Sequence, residues 1–168
     1  KLIFDVGHQC YAHKLLSGRE EGFETLRRRG GLSGFPKREE SAFDCYNTGH
    51  AGTSVSAALG FAKARDIKGE NFNVIAVIGD GSFNNGLVYE AFNSLRPLNT
   101  NVLVILNDNG MSISPTVGSM HEYLEQLSQN AQHIAKEEKH SNIFERFGFS
   151  YDGVHDGNDL FSMIAKLS

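Results

Sequence analysis

Asp80 lies between two glycines at the end of an apolar run, in VIGDGSFNNG (77–86), and a second polar cluster, NDN at 107–109, closes another apolar run, NVLVILN. Asp80 offers an anionic oxygen and Asn109 a neutral amide oxygen. The turn into GMSIS adds exposed main-chain carbonyls, that of Met111 among them. These are hard oxygen donors, too few to fill an octahedron, and magnesium completes such a shell with phosphate oxygens and water. Gly81 removes side-chain bulk, and a helix following it presents the N–H groups of Gly81 and Ser82 to the same phosphates. The set therefore suits a magnesium ion that holds a diphosphate. A lone GDG is weak, because glycine and aspartate are common turn residues. What strengthens it is the NDN cluster, 25 residues further on, at the end of the next apolar run. The chain has no G-x-x-x-x-G-K-[ST], and no G-x-G-x-x-G follows a strand, so nucleotide folds of those two kinds lose support.

Such a site works only if two strands deliver both clusters to one edge. NVIAVIG (73–79) and NVLVILN (101–107) are continuously apolar, as expected of interior parallel strands covered on both faces. LVYEAFNSL between them reads as helical, which makes a βαβ unit. Its right-handed crossover opens both carboxyl ends on the same edge, where α/β sheets bind ligands. LIFDVG at the start reads as a buried strand, and 53–68 (TSVSAALGFAKARDIK) as a helix whose small residues allow close packing. RRRGGLSGFPKREES reads as an exposed loop. SMHEYLEQLSQNAQHIAKEEKHSNIFERFG is mostly helical with Gly148 as its stop, FSYDGV suggests another strand, and a last helix starts at Asn158. The predicted fold class is α/β, a mostly parallel sheet flanked by helices, with residues 1–168 forming one domain.

The chain has 168 residues, 40% of them apolar, enough for the core of one ordinary domain. Sixteen Lys and Arg face 20 Asp and Glu, a net charge of −4, so no global positive field favours nucleic acid or an anionic membrane. The basic cluster Arg27–Arg29 reads as a solvated helix end, with contact to an anion as the alternative. Cys10 and Cys45 are expected to be reduced. With His8, His13 and His50 they offer zinc ligands, but no C-x2-C knuckle supports that reading. No apolar run approaches the roughly 20 residues of a membrane span. A cytoplasmic or organellar protein is expected, and the ends of the sequence read as cut from something longer.

GDG followed, after a βαβ crossover, by asparagine resembles the cofactor motif of thiamine diphosphate enzymes. DVGHQCYAHKLLSGR, GGLSGFPKREES, GHAGTSVSAALG, VIGDG and ILNDNGMSISPTVG are similar, in order, to successive segments of the 1-deoxy-D-xylulose 5-phosphate synthase family. The resemblance implies the thiamine diphosphate-binding fold and a diphosphate-binding domain of an enzyme that condenses pyruvate with D-glyceraldehyde 3-phosphate and releases carbon dioxide. Its product feeds isoprenoid, thiamine and pyridoxal synthesis, in the bacterial cytoplasm or a plastid. Asp80, Asn109 and the Met111 carbonyl match the family's magnesium ligands, and Gly81 and Ser82 its diphosphate contacts. His8, Gly49, His50, Ala51 and Tyr151 match positions that line the thiamine diphosphate. For His8 and His50 two roles stand open, proton transfer or a hydrogen bond to a phosphate or substrate oxygen.

The family's activating glutamate belongs to a following pyrimidine-binding domain that this sequence does not contain, so the chain is expected to hold the diphosphate end without turning over unaided. A homodimer of the full-length protein is implied. Several positions depart from the family's pattern. GHAGTS stands for the usual GHSSTS, so Ala51 and Gly52 lack hydroxyls. GDGSFNNG differs from the common alanine-led version, Asn158 replaces a frequent histidine, and the connection from Gly118 to Phe144 is shorter. Two rival readings are one subunit of a split transketolase-like enzyme and a non-catalytic paralogue that binds an anionic ligand or a partner.

Overall fold

Three strands, β1 (Leu2–Phe4), β2 (Ile75–Gly79) and β3 (Leu103–Asn107), pair in parallel in the order β1-β2-β3. The computed structural model describes residues 1–110, 116–131 and 142–167. These fall into two units, Lys1–Asn109 and Gly110–Ser168, and the sheet belongs to the first. β2, the central strand, alternates half-buried and buried residues and ends on the buried Ile78 and Gly79. β3 corrects the expectation of two interior strands. Like β1 it is an edge strand among the described residues, and it is only half-covered, with Leu103 exposed.

The first unit also contains α1 (Cys10–Leu16), a 3-10 turn (Glu20–Thr25), α2 (Ser54–Lys68), the single-turn α3 (Asp80–Phe83) and α4 (Gly86–Leu98). α2 lies on β1 and β2 and packs on α4. Its Ala58 and Ala62 are fully buried against Ile3, Val74 and Ala76. Small residues on that face let the helix sit close to the sheet, as the composition of 53–68 predicts. α2 stops at Gly69, whose left-handed φ of 65° an L side chain adopts poorly. The 26–47 segment has no regular structure, as expected, yet it is not wholly exposed, since Gly34, Pro36 and Asp44 are buried.

The second unit contains α5 (Ser119–Ala131), α6 (Ile143–Phe147) and α7 (Leu160–Leu167). α6 opens on an Asn142/Glu145 capping box and ends on Gly148 in the left-handed region, the stop that the sequence predicts. FSYDGV forms no strand, which corrects that expectation. A strand exists only where a neighbour accepts its ladder of hydrogen bonds, and no strand is described in this unit. No helix among the described residues is long and apolar enough to cross a membrane.

Candidate functional site

The register of β2 and β3 sets Gly79 opposite Asn107, so the chain leaves both strands side by side at their carboxyl ends. Asp80 follows at once and Asn109 two residues later. The GDG motif is more than a bare turn: Gly79 is extended and Asp80 opens α3. Asp80 is 5% exposed and Ser82 7%. The helical turn is anchored from below by Phe83, buried and packed on Tyr89 and Phe92. Asn84 donates to the Asp80 carbonyl at 3.3 Å. Asn109 is exposed, and Met111 lies outside the described residues. A buried carboxylate at a strand end, with an exposed amide beside it, is a donor arrangement suited to a hard cation.

The carboxyl end of β1 contributes a residue that sequence reasoning missed. Asp5, 2% exposed, accepts from the N–H groups of Val6 at 2.9 Å, Gly52 at 2.9 Å and Ser54 at 3.0 Å. Its own N–H donates to the Val77 carbonyl on β2 at 2.8 Å. Asp5 therefore caps α2 from another segment and satisfies donors that the helix start leaves free. This is also what fixes Gly49, His50 and Ala51 at the sheet's carboxyl edge. A polar residue directly after a strand and before a glycine reads as a stop signal, so only the fold identifies its partners.

Asn85 holds the same loop from the other side. Its amide nitrogen donates to the Ala51 carbonyl at 3.0 Å, and its amide oxygen accepts from Leu87 N–H at 3.0 Å to cap α4. Gly52 is buried beneath it at φ 83°, and a methyl group there would lie 2.6 Å from Asn85 Cβ. The Ala51 and Gly52 departures are thus accommodated through main-chain groups. Gly52→Ala is expected to destabilise the chain by about 2–5 kcal/mol, from left-handed strain of about 1–2 kcal/mol and overpacking of about 1–3 kcal/mol. Urea denaturation of Gly52→Ala, Asn85→Gly and Gly52→Ala/Asn85→Gly checks this. In the Asn85→Gly background, which lacks the Cβ that the new methyl meets, Gly52→Ala should cost only the left-handed strain, and an undiminished cost would disprove the overlap.

His8 and Gln9 connect β1 to α1, and α1 is fixed by a buried ionic cluster. Asp44 accepts from Arg19 through both oxygens at 2.6 and 3.0 Å, from His13 at 2.8 Å and from Lys37 N–H at 2.8 Å. Lys14, fully buried, reaches Glu40 at 2.7 Å, and Glu40 also accepts from Ser33 N–H at 2.8 Å. Burial alone would push the Asp44 carboxyl up, but hydrogen bonds from Arg19, Lys37 and His13 hold it below the usual carboxylate range. Arg27 is exposed, as expected of the basic cluster, but it is not without partners. Its guanidinium lies over the rings of Tyr11 and Phe35, and its Nε donates to the Tyr11 hydroxyl at 2.7 Å.

His8 and His50 have exposed side chains, open to solvent at this edge. Cys10 Sγ faces the Gly7 and Gly34 carbonyls and Cys45 Sγ the Leu2 carbonyl, and burial raises both thiols, which keeps them protonated. No cluster of three or more His, Cys, Asp or Glu suited to a metal occurs among the described residues. The structure thus brings His8, Gly49, His50, Ala51, Asp80, Gly81, Ser82 and Asn109 to the carboxyl ends of the three strands. Tyr151 belongs to the second unit, half-buried and stacked on Phe144 at 5.2 Å, where burial and then Tyr123 and Glu145 raise its phenol.

Comparison with known proteins gives a consistent picture. Residues 1–143 match the sequence profile of the family described as 1-deoxy-D-xylulose-5-phosphate synthase. The 1-deoxy-D-xylulose-5-phosphate synthase of Dechloromonas aromatica is 45% identical over 99% of this chain, and that of Synechococcus sp. (strain JA-3-3Ab) 46% identical over 98%. The enzyme of that name from Clostridium tetani is 58% identical over 76% of the chain. The chain spans 31% of the length of the first two relatives and 21% of the third. The alignment with the Dechloromonas protein runs over 194 residues, so that relative carries residues that this chain of 168 lacks. Among solved structures, the transketolase from Leishmania mexicana superimposes with a TM-score of 0.54 at 21% identity, over 74% of this chain and 22% of that one, a likeness of fold. A parallel sheet with its polar residues gathered at the carboxyl edge, and relatives of one name along nearly the whole sequence, lead to one conclusion: the chain belongs to the 1-deoxy-D-xylulose-5-phosphate synthase family.

Proposed function

We propose that this chain is the part of a 1-deoxy-D-xylulose-5-phosphate synthase that holds magnesium and the diphosphate of thiamine diphosphate. The observation that carries the reading is the buried Asp80 carboxylate at the end of β2, in register with the strand that leads to Asn109. The residues present fit the group. Asp80, Asn109 and the Met111 carbonyl are hard oxygen donors for magnesium. A Cβ on Gly79, at the strand end, would meet the Gln9 amide, and the Gly81 and Ser82 N–H groups in the first turn after it are the proposed diphosphate donors.

When bound, the cofactor supplies the carbon nucleophile and electron sink that removal of carbon dioxide from a 2-oxo acid requires. The chain's own residues do the rest. Asp80 would bind the metal, whose positive charge offsets that of the diphosphate, and Asp5 and Asn85 orient the 49–52 loop. In this reading His8 and His50 move a proton at, or hydrogen bond, a substrate oxygen. Tyr151 is a further cofactor contact in this reading. The substrates are pyruvate and D-glyceraldehyde 3-phosphate, and the setting is a bacterial cytoplasm or a plastid. A pyrimidine-binding domain with an activating glutamate completes the site, in a homodimer of the full-length protein, so this chain alone binds without turnover.

Calorimetric titration with thiamine diphosphate in magnesium tests the reading. Saturable binding is expected, dependent on magnesium and abolished by Asp80→Ala. If neither protein binds, the titration is repeated with a pyrimidine-binding domain supplied. Binding that appears only then marks a shared site, as in a split enzyme, and continued absence favours the non-catalytic paralogue.

A further inference from the structure

We infer that Gln9 is a further ligand-binding residue of this site, its carboxamide donating a hydrogen bond to the anionic phosphate oxygens held beside Asp80; the inference rests on the reading just proposed. Gln9 stands at the N-terminal end of α1, yet its side chain does not cap that helix. Although the residue is half-buried, its amide makes no hydrogen bond among the described residues. The amide lies instead against the end of β2, where a methyl group on Gly79 would be 2.7 Å from Nε2. On the other side Gly7, at φ 143°, leaves room for the Oε1 end, which a side chain there would strike.

Two glycines, one after β1 and one at the end of β2, therefore frame a carboxamide next to the residue that precedes Asp80. The half-buried amide has no partner in the chain among the described residues, so its hydrogen-bonding groups are left to water or to a ligand bound at this edge. At this edge that partner is anionic, since the site gathers a metal-binding carboxylate with free main-chain donors. An amide N–H donating to an anionic oxygen is a charge-assisted bond, roughly twice as strong as a neutral one.

The test is calorimetry of the full chain with magnesium and thiamine diphosphate, comparing wild type, Gln9→Ala, Gln9→Glu and Asp80→Ala. Gln9→Ala is expected to weaken binding about tenfold. Gln9→Glu should weaken it further, by an amount that shrinks as salt rises, because a carboxylate there repels the diphosphate and salt screens repulsion. A merely structural lesion would not respond to salt in that way. Gln9→Met, similar in shape and without hydrogen-bonding groups, replaces the alanine variant if that one does not fold. Both Gln9 variants binding within about twofold of wild type, with Asp80→Ala still inactive, would overturn the role of Gln9 and leave the site reading intact. A wild-type chain that takes up no magnesium diphosphate, either alone or with a pyrimidine-binding domain supplied, would overturn the site reading and this inference with it.

Discussion

Asp44→Ala is expected to lower the unfolding free energy by about 3–5 kcal/mol, the range for breaking a buried ion pair by deleting one partner. The carboxylate is fully buried and accepts hydrogen bonds from Arg19, His13 and the Lys37 main chain. Its removal leaves the Arg19 guanidinium, 8% exposed, without its bidentate partner. Total stabilities of 5–15 kcal/mol make that a large fraction. Equilibrium urea denaturation reads the loss, and a change below about 1 kcal/mol, the value of an exposed pair, would show that the cluster is solvated. The pH dependence has a definite sign. Because the folded carboxyl titrates below its unfolded value, its stabilisation is complete above the unfolded pKa of about 3.9. It is lost as pH falls through the lower folded value. The gap between wild type and Asp44→Ala should thus stay constant from neutrality to about pH 5 and close in stronger acid.

Asp5→Ala should be comparably damaging, for a different reason. Three main-chain donors lose their acceptor, those of Gly52 and Ser54 in buried positions. An unsatisfied buried donor costs about 1–3 kcal/mol, so the two buried ones together are expected to cost about 2–6 kcal/mol. Asp5→Asn is the sharper variant. Its amide can still accept through one oxygen, but it turns an N–H toward either Gly52 or Ser54, donor against donor. Hydrogen exchange at the Gly52 and Ser54 amides, alongside urea denaturation, separates local release of the loop from global loss. Unchanged protection in both variants would rule out the anchoring role. If the loop is released, thiamine diphosphate binding should weaken even where the fold survives.

The parts that the sequence made legible are those with a local signature. β2 and β3 show as apolar runs, α2 and α4 by their patterning, and Gly148 as a helix stop, because each depends on neighbours in the chain. The carboxyl-edge placement of Asp80 and Asn109 followed from the handedness of the crossover. α1 carries no clear helical signature in the sequence, since its Leu15 and Leu16 are exposed and blur any apolar stripe. Asp5, Gln9 and Asn85 escaped notice because their partners are supplied by other segments. Asp5 meets Ser54 across 49 positions, and Asn85 meets Ala51 across 34. The ionic cluster was hidden in the same way, with Arg19 and Asp44 separated by 25 positions in a stretch that reads as surface. FSYDGV misled in the opposite direction, having the composition of a strand without a neighbour described to pair with.

The contact between Gly52 and Asn85 also constrains the order in which this site can diverge. Where position 85 carries an asparagine, a side chain at 52 meets it within 2.6 Å, so a serine at 52 is disfavoured until 85 has become smaller. Once Asn85 is lost, the Ala51 carbonyl and the start of α4 lose a shared partner, and a hydroxyl in the loop gains something to do. The two positions are therefore epistatic, and a substitution judged harmful in one lineage is acceptable in another that made the changes in reverse.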